Sequence, residues 1–224
     1  METYNLINAN GYIVFECNGK NILVDLGMPF SVSRQPIAFS ICNNNCSARP
    51  HPDFDFDQIS QDVGVPIDAF ICNDNLGKFK VLIDMPGKKI FFDTREIPFE
   101  GTEVPCCFSG YVSFNPIING VKRRMVLDTG APMSYVEKYV LDGCPKILDE
   151  YWDFNPAIGR FSSPVFEVPI AFAGHEFKIL CAPQHPIISQ SVVNHLHADG
   201  VLGGNIFAQH KVLIDIAGCN LKMG

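Results

Sequence analysis

The pentapeptide Lys80-Val81-Leu82-Ile83-Asp84 occurs a second time as Lys211-Val212-Leu213-Ile214-Asp215, with Gly87 and Gly218 at matching positions after each. Other blocks repeat in the same order. Gly11-Tyr12-Ile13-Val14-Phe15 aligns with Gly110-Tyr111-Val112-Ser113-Phe114, and Asn18-Gly19 with Asn119-Gly120. Ile22 to Ser31 aligns with Met125 to Ser134, and Asp68 to Cys72 with Asp199 to Gly203. Collinear blocks of this kind mean that one unit has been used twice. The expected division is residues 1–97 and 104–224, joined by a linker at 98–103. The copies are unequal: 46 positions separate Asp25 from Ile71 and 74 separate Asp128 from Leu202, so the second copy carries 28 extra.

The unit reads as mainly β. Sixteen Pro and 18 Gly are spread along 224 residues, which demands many turns and short elements. Strands are predicted at 12–15, 21–25, 79–84 and 89–92, and at 111–114, 124–128, 165–172, 176–180 and 211–216. Residues 76–79 and 206–210 read as single helical turns, and 42–52 and 151–164 as loops. Asp53, Asp55 and Asp57 alternate with Phe54 and Phe56, which places three acids on one face of an extended, solvated segment.

Charge narrows the function. A net charge of −7, with no basic run longer than Lys122-Arg123-Arg124, disfavours a nucleic-acid partner. The uncharged run 104–121 is broken by Pro105, Gly110, Pro116 and Gly120, so no membrane-spanning helix is expected. The first ten residues carry no basic residue and no apolar core of a secretory signal. The nine cysteines are an odd number and read as reduced thiols, so a cytoplasmic location is expected.

The chemistry sits in the aligned loops Asp25-Leu26-Gly27 and Asp128-Thr129-Gly130. A carboxylate at the end of a buried apolar strand must be neutralised, paired or hydrogen-bonded. The Gly two residues on lets the backbone turn its N–H groups toward that carboxylate. If the two loops meet, Asp25 and Asp128 face each other. Two close carboxyls share one proton, so one acts as general base on a water while the other donates to a carbonyl.

Val126-Leu127-Asp128-Thr129-Gly130-Ala131 resembles the active-site motif of the pepsin and retropepsin family of aspartic proteases. Val201-Leu202-Gly203-Gly204-Asn205-Ile206-Phe207 resembles that family's second signature, and Phe70-Ile71-Cys72-Asn73-Asp74 is similar in weaker form. The resemblance implies a single-chain tandem version of a retropepsin dimer. Its fold would be two similar β-barrel lobes about a pseudo-two-fold axis, with a peptide cleft between them. It implies an aspartic endopeptidase that works as a monomer on peptide or protein substrates, without cofactor or metal. Asp25 and Asp128 would be catalytic, Gly27 and Gly130 would shape the loops, and Thr129 would hydrogen-bond across to the opposite loop. Ser31 and Ser134 would place hydroxyls against the catalytic carboxylates. The first copy is too short to carry the hairpin that closes over substrate, so that hairpin is expected within 151–168.

Leu26 stands where Thr or Ser is expected, and Cys72 where Gly is expected. A catalytically impaired relative that binds peptides or acts as a scaffold is therefore the alternative function. Three patterns point elsewhere. His195-x-His197-x-Asp199 has metal-ligand spacing, but only His210 follows it, and the solvated-loop interpretation is preferred. Cys42, Cys46 and His51 lack a second cysteine pair at suitable spacing for zinc. Trp152 is placed either along a substrate groove or in the core.

Overall fold

The two identical pentapeptides pair with each other. In the computed structural model, which describes residues 1–155, 158–188 and 193–224, strand Lys80–Asp84 lies antiparallel to strand Lys211–Asp215. The register sets Leu82 opposite Leu213, Lys211 opposite Asp84 and Asp215 opposite Lys80. A sequence that begins with Lys and ends with Asp is self-complementary when it meets its own copy head to tail. Both ion pairs form, Lys211 to Asp84 at 2.9 Å and Lys80 to Asp215. Cross-strand pairs of opposite charge each contribute roughly 0.2–1 kcal/mol.

This pair is the seam of a nine-stranded sheet. Its order is Ala69–Ile71, Lys20–Val24, Val14–Cys17, Glu2–Ile7, Lys89–Asp93, Lys80–Asp84, Lys211–Asp215, Asn220–Met223 and Thr102–Pro105. The segment expected to end the linker is thus partly a strand. A second sheet of ten strands is built from residues 107–202, and the hairpin Ile37–Ile41 with Asn44–Ala48 stands apart from both. The β-barrel lobes implied by the resemblance are corrected here. Among the described residues no sheet closes on itself, and the fold is a β-rich arrangement of open sheets with some helix. Lys80–Asp84 has Lys211–Asp215 on its outer edge, so the sheet of the first copy runs on into the second.

A continuous core accompanies the seam. Phe15, Phe92, Val81 and Ile83 from the first copy pack in one cluster with Val212, Ile214 and Phe207 from the second. The ring of Phe92 meets Phe15 at 5.3 Å and Phe79 at 5.7 Å. Burying one such side chain stabilises the fold by roughly 1.5–3 kcal/mol.

The repeat is structural as well as sequential where it matters for the site. Val24 pairs in parallel with Ile71, and Leu127 in parallel with Leu202, at aligned positions of the two copies. Asp68 accepts the Asn21 N–H at 3.0 Å, and its counterpart Asp199 accepts the Arg124 N–H at 3.0 Å.

Three local expectations are overturned. The acidic segment is no strand: Asp55 caps the helix Phe56–Val63, accepting the N–H groups of Asp57 at 3.0 Å and Gln58 at 3.1 Å. Gly64 ends this helix with φ of 83°, and Phe56, Ile59 and Val63 form its buried face. Residues 151–164 belong largely to a long hairpin, Lys146–Asn155 against Gly159–Phe172, and residues 156 and 157 lie outside the described residues. Residues 42–52 include the strand Asn44–Ala48. Among the described residues no helix is long and apolar enough to cross a membrane.

Candidate active site

Each copy delivers one aspartate from the buried end of a strand. The Asp25 N–H donates to the Ile71 carbonyl at 3.0 Å and the Asp128 N–H to the Leu202 carbonyl at 2.9 Å. These bonds extend the parallel ladders by one residue and fix where each chain turns. The turn then brings the Gly27 N–H to Asp25 Oδ1 at 2.7 Å. In the other loop the Ala131 N–H donates to the Asp128 backbone carbonyl at 3.3 Å, and the Gly130 and Ala131 amides lie close enough to favour the ionised form of Asp128.

The two loops meet. The carboxyls of Asp25 and Asp128 line one cavity, and each feels the other loop at close range. Gly27 lies against Asp128, and Gly130 against Asp25. A Cβ on Gly130 would fall 2.6 Å from the Asp25 Cγ, so any side chain there would push the loops apart.

Burial, chiefly, pushes the Asp25 carboxyl well above the usual carboxylate range, and the Asp128 charge adds to this. Burial also pushes Asp128 up, to about 6, and the charge of Asp153 contributes. Both carboxyls are raised by burial, and two acids this close share a proton as a pair.

Thr129 crosses the junction. Its hydroxyl donates to the Val24 carbonyl at 2.8 Å and accepts the Leu26 N–H at 3.0 Å. Leu26 has no hydroxyl to return the arrangement and is buried in the core. Ser31 and Ser134 do something other than contact the carboxylates. Ser31 Oγ donates to Asp74 Oδ1 at 2.6 Å and accepts the Cys72 N–H at 2.9 Å. Ser134 Oγ donates to Asn205 Oδ1 at 2.7 Å and accepts the Gly203 N–H at 3.1 Å. The same bonds recur in both copies and brace the loop against the following turn. Cys72 is accommodated where the second copy needs Gly203, at which a Cβ would fall 2.7 Å from the Ala131 carbonyl oxygen.

The cavity of about 160 Å³ is walled by elements from both copies. Helix Phe56–Val63 contributes Ile59, Asp62 and Val63, and the long hairpin contributes Asp153, Phe154 and Phe161. The hairpin belongs to the second copy. Asp153 accepts the Tyr135 hydroxyl and its own carboxyl is raised by burial. Asp62 and Asp153 did not emerge from sequence reasoning. The Asp55-x-x-Gln58 spacing before an apolar face is the capping signal that would have found the helix. Trp152 is not in the core: it is 52% exposed, with the Arg160 guanidinium 5.0 Å from its ring.

Of the residues with metal-ligand spacing, Asp199, Cys42 and His51 have other partners. Besides the Arg124 N–H, Asp199 receives the Tyr139 hydroxyl and lies 3.5 Å from Arg123. The Cys42 thiol donates to the Phe92 carbonyl at 3.0 Å, and His51 faces Asp53 at 3.7 Å. Among the described residues no cluster of His, Cys, Asp and Glu is placed to hold a metal ion.

No protein-family model and no curated protein matches this sequence. Among solved structures it is similar to a retropepsin-like aspartic protease from Rickettsia conorii. That similarity has 17% identity and a TM-score of 0.39, over 54% of this chain and 87% of that one. It is also similar to EIAV protease complexed with the inhibitor HBY-793, at 19% identity and a TM-score of 0.29, over 42% of this chain and 82% of that one. Both similarities are remote and partial.

Proposed function

We propose that this protein is an aspartic-type endopeptidase whose water-activating pair is Asp25 and Asp128. The observation that carries the proposal is that both carboxyls line one cavity, with Gly130 set against Asp25 and Gly27 against Asp128. Two acids held together at the ends of buried strands are costly to the fold, and a shared proton is what makes the arrangement tolerable. The ionised member of the pair takes a proton from the attacking water. The protonated member donates to the scissile carbonyl oxygen. The tetrahedral adduct then collapses: the acid that took the water's proton passes it to the leaving nitrogen, and the other recovers its own from the adduct's hydroxyl as the carbonyl re-forms. Both acids come from one chain, so a monomer carries the whole pair.

The cavity is smaller than the roughly 300–1,000 Å³ of ordinary ligand pockets. An extended peptide therefore needs the hairpin Lys146–Asn155/Gly159–Phe172 to move away from helix Phe56–Val63. One observation favours a second reading, a peptide-binding relative without turnover: Leu26 supplies no hydroxyl to the loop lattice. Incubation with a mixed peptide library separates the two. The protease reading expects internal cleavage that is stopped by a statine-type transition-state mimic and is indifferent to chelators. Binding of the mimic with no cleavage at any pH from 3 to 8 would favour the second reading.

A further inference from the structure

Asn73 lies at the position aligned with Gly204 of the second copy. Its amide nitrogen donates to two carbonyls, Leu26 O at 3.0 Å and Gly110 O at 3.0 Å. The first carbonyl belongs to the loop that carries Asp25. The second belongs to the other copy, two residues before strand Val112–Phe114. Asn73 is only 4% exposed, and its Oδ1 has no partner among the described residues. The amide orientation is therefore fixed by chemistry: two carbonyls demand a donor, and the reversed amide would set oxygen against oxygen.

The aligned place in the second copy holds the same two carbonyls without the amide. A Cβ on Gly204 would meet Gly11 O at 3.4 Å and Thr129 O at 4.0 Å, and these residues are the counterparts of Gly110 and Leu26. The two copies thus solve one problem by different means. The second copy anchors its loop across the junction through the Thr129 hydroxyl and has Gly at 204. The first copy has Leu at 26, with no hydroxyl, and has Asn at 73. We propose that Asn73 is a positioning residue that stands in for the hydroxyl absent at Leu26, tying the Asp25 loop to the second copy and holding Asp25 against Asp128.

The role of the pair in hydrolysis rests on the protease reading; the positioning role does not, and the test keeps the two apart. Asn73→Ala and Asn73→Leu, of similar size and with no donor, are made with Leu26 retained and with Leu26→Thr. The carboxyl titration of Asp25 and Asp128 is followed by carbon NMR on aspartate-labelled full-length protein, and kcat and KM are measured on any cleaved peptide. With Leu26 present, each change at 73 is expected to move the titration of the pair toward ordinary carboxylate values. It should also lower kcat about tenfold or more with KM little changed, as for a small misplacement of reacting groups. With Thr at 26, Asn73→Ala should titrate and turn over like the unaltered chain. Equal effects in both backgrounds, or a folded Asn73→Ala with an unaltered titration, would overturn the proposal. If Asn73→Ala fails to fold, recovery of a folded, normally titrating protein on adding Leu26→Thr supports it, and no recovery overturns it. Absence of any peptide turnover in the unaltered chain would end the protease reading and leave the titration result to decide this one.

Discussion

The Thr129 hydroxyl donates to the Val24 carbonyl at 2.8 Å, joining residues 105 positions apart in the chain. It accepts the Leu26 N–H in the same contact, so one buried hydroxyl satisfies a donor and an acceptor of the opposite loop. Replacing it by Val keeps the shape and orphans both groups. Thr129→Val is expected to cost about 1–3 kcal/mol for each group left unpaired, whereas Thr129→Ser costs far less. Urea unfolding of the two variants measures this, and equal losses would show that the hydroxyl is not what matters.

Burial and the neighbouring charge raise Asp25 in the folded chain above its unfolded value. A raised acid favours folding while it is protonated, so its contribution is complete below about pH 4 and is lost as pH rises through the folded value. Asp25→Asn escapes that loss and can still donate to Asp128. Its stability relative to the unaltered protein should therefore grow from pH 3 to pH 8, by roughly 1.4 kcal/mol per unit of the raised range. Denaturant midpoints across that range give the sign, and a difference that shrinks with pH would contradict the arrangement.

Asp153 reaches the pair through its charge, adding to the elevation of Asp128. Asp153→Asn removes that charge, favours ionised Asp128 and lowers its titration. The acidic limb of the rate profile, where the base becomes protonated, should move to lower pH. A limb that stays in place or moves up would show that Asp153 does not act on Asp128.

Asp55 holds the first turn of the helix that walls the cavity. Asp55→Ala should lower stability by about 1 kcal/mol, as for other lost N-caps. Since the acids are untouched, KM should rise more than kcat falls. Thermal melting and steady-state kinetics together check it, and a fall in kcat alone would count against a binding-wall role.

Much of this was legible in the sequence because the repeat works at long range. Aligning Asp25 with Asp128 predicts that like loops meet, and the structure brings them together although 103 positions separate them. Open sheets were not legible. That Lys80–Asp84 pairs with its own copy depends on which edges are free after each unit folds, which no local pattern encodes. The helix Phe56–Val63 was missed because alternating Asp and Phe imitate a strand, while the decisive feature was one capping side chain. Ser31 and Ser134 were misplaced because loop geometry, rather than residue type, decides which oxygen a hydroxyl finds.

The most direct measurement is peptide hydrolysis by Asp25→Asn and Asp128→Asn proteins, each verified as folded, beside the unaltered chain. A pair that shares one proton on one water predicts that either change removes cleavage, by a factor of about 10³ or more, in keeping with losses of an acid–base partner. Substantial turnover surviving in one variant would mean that the two carboxyls do not act together.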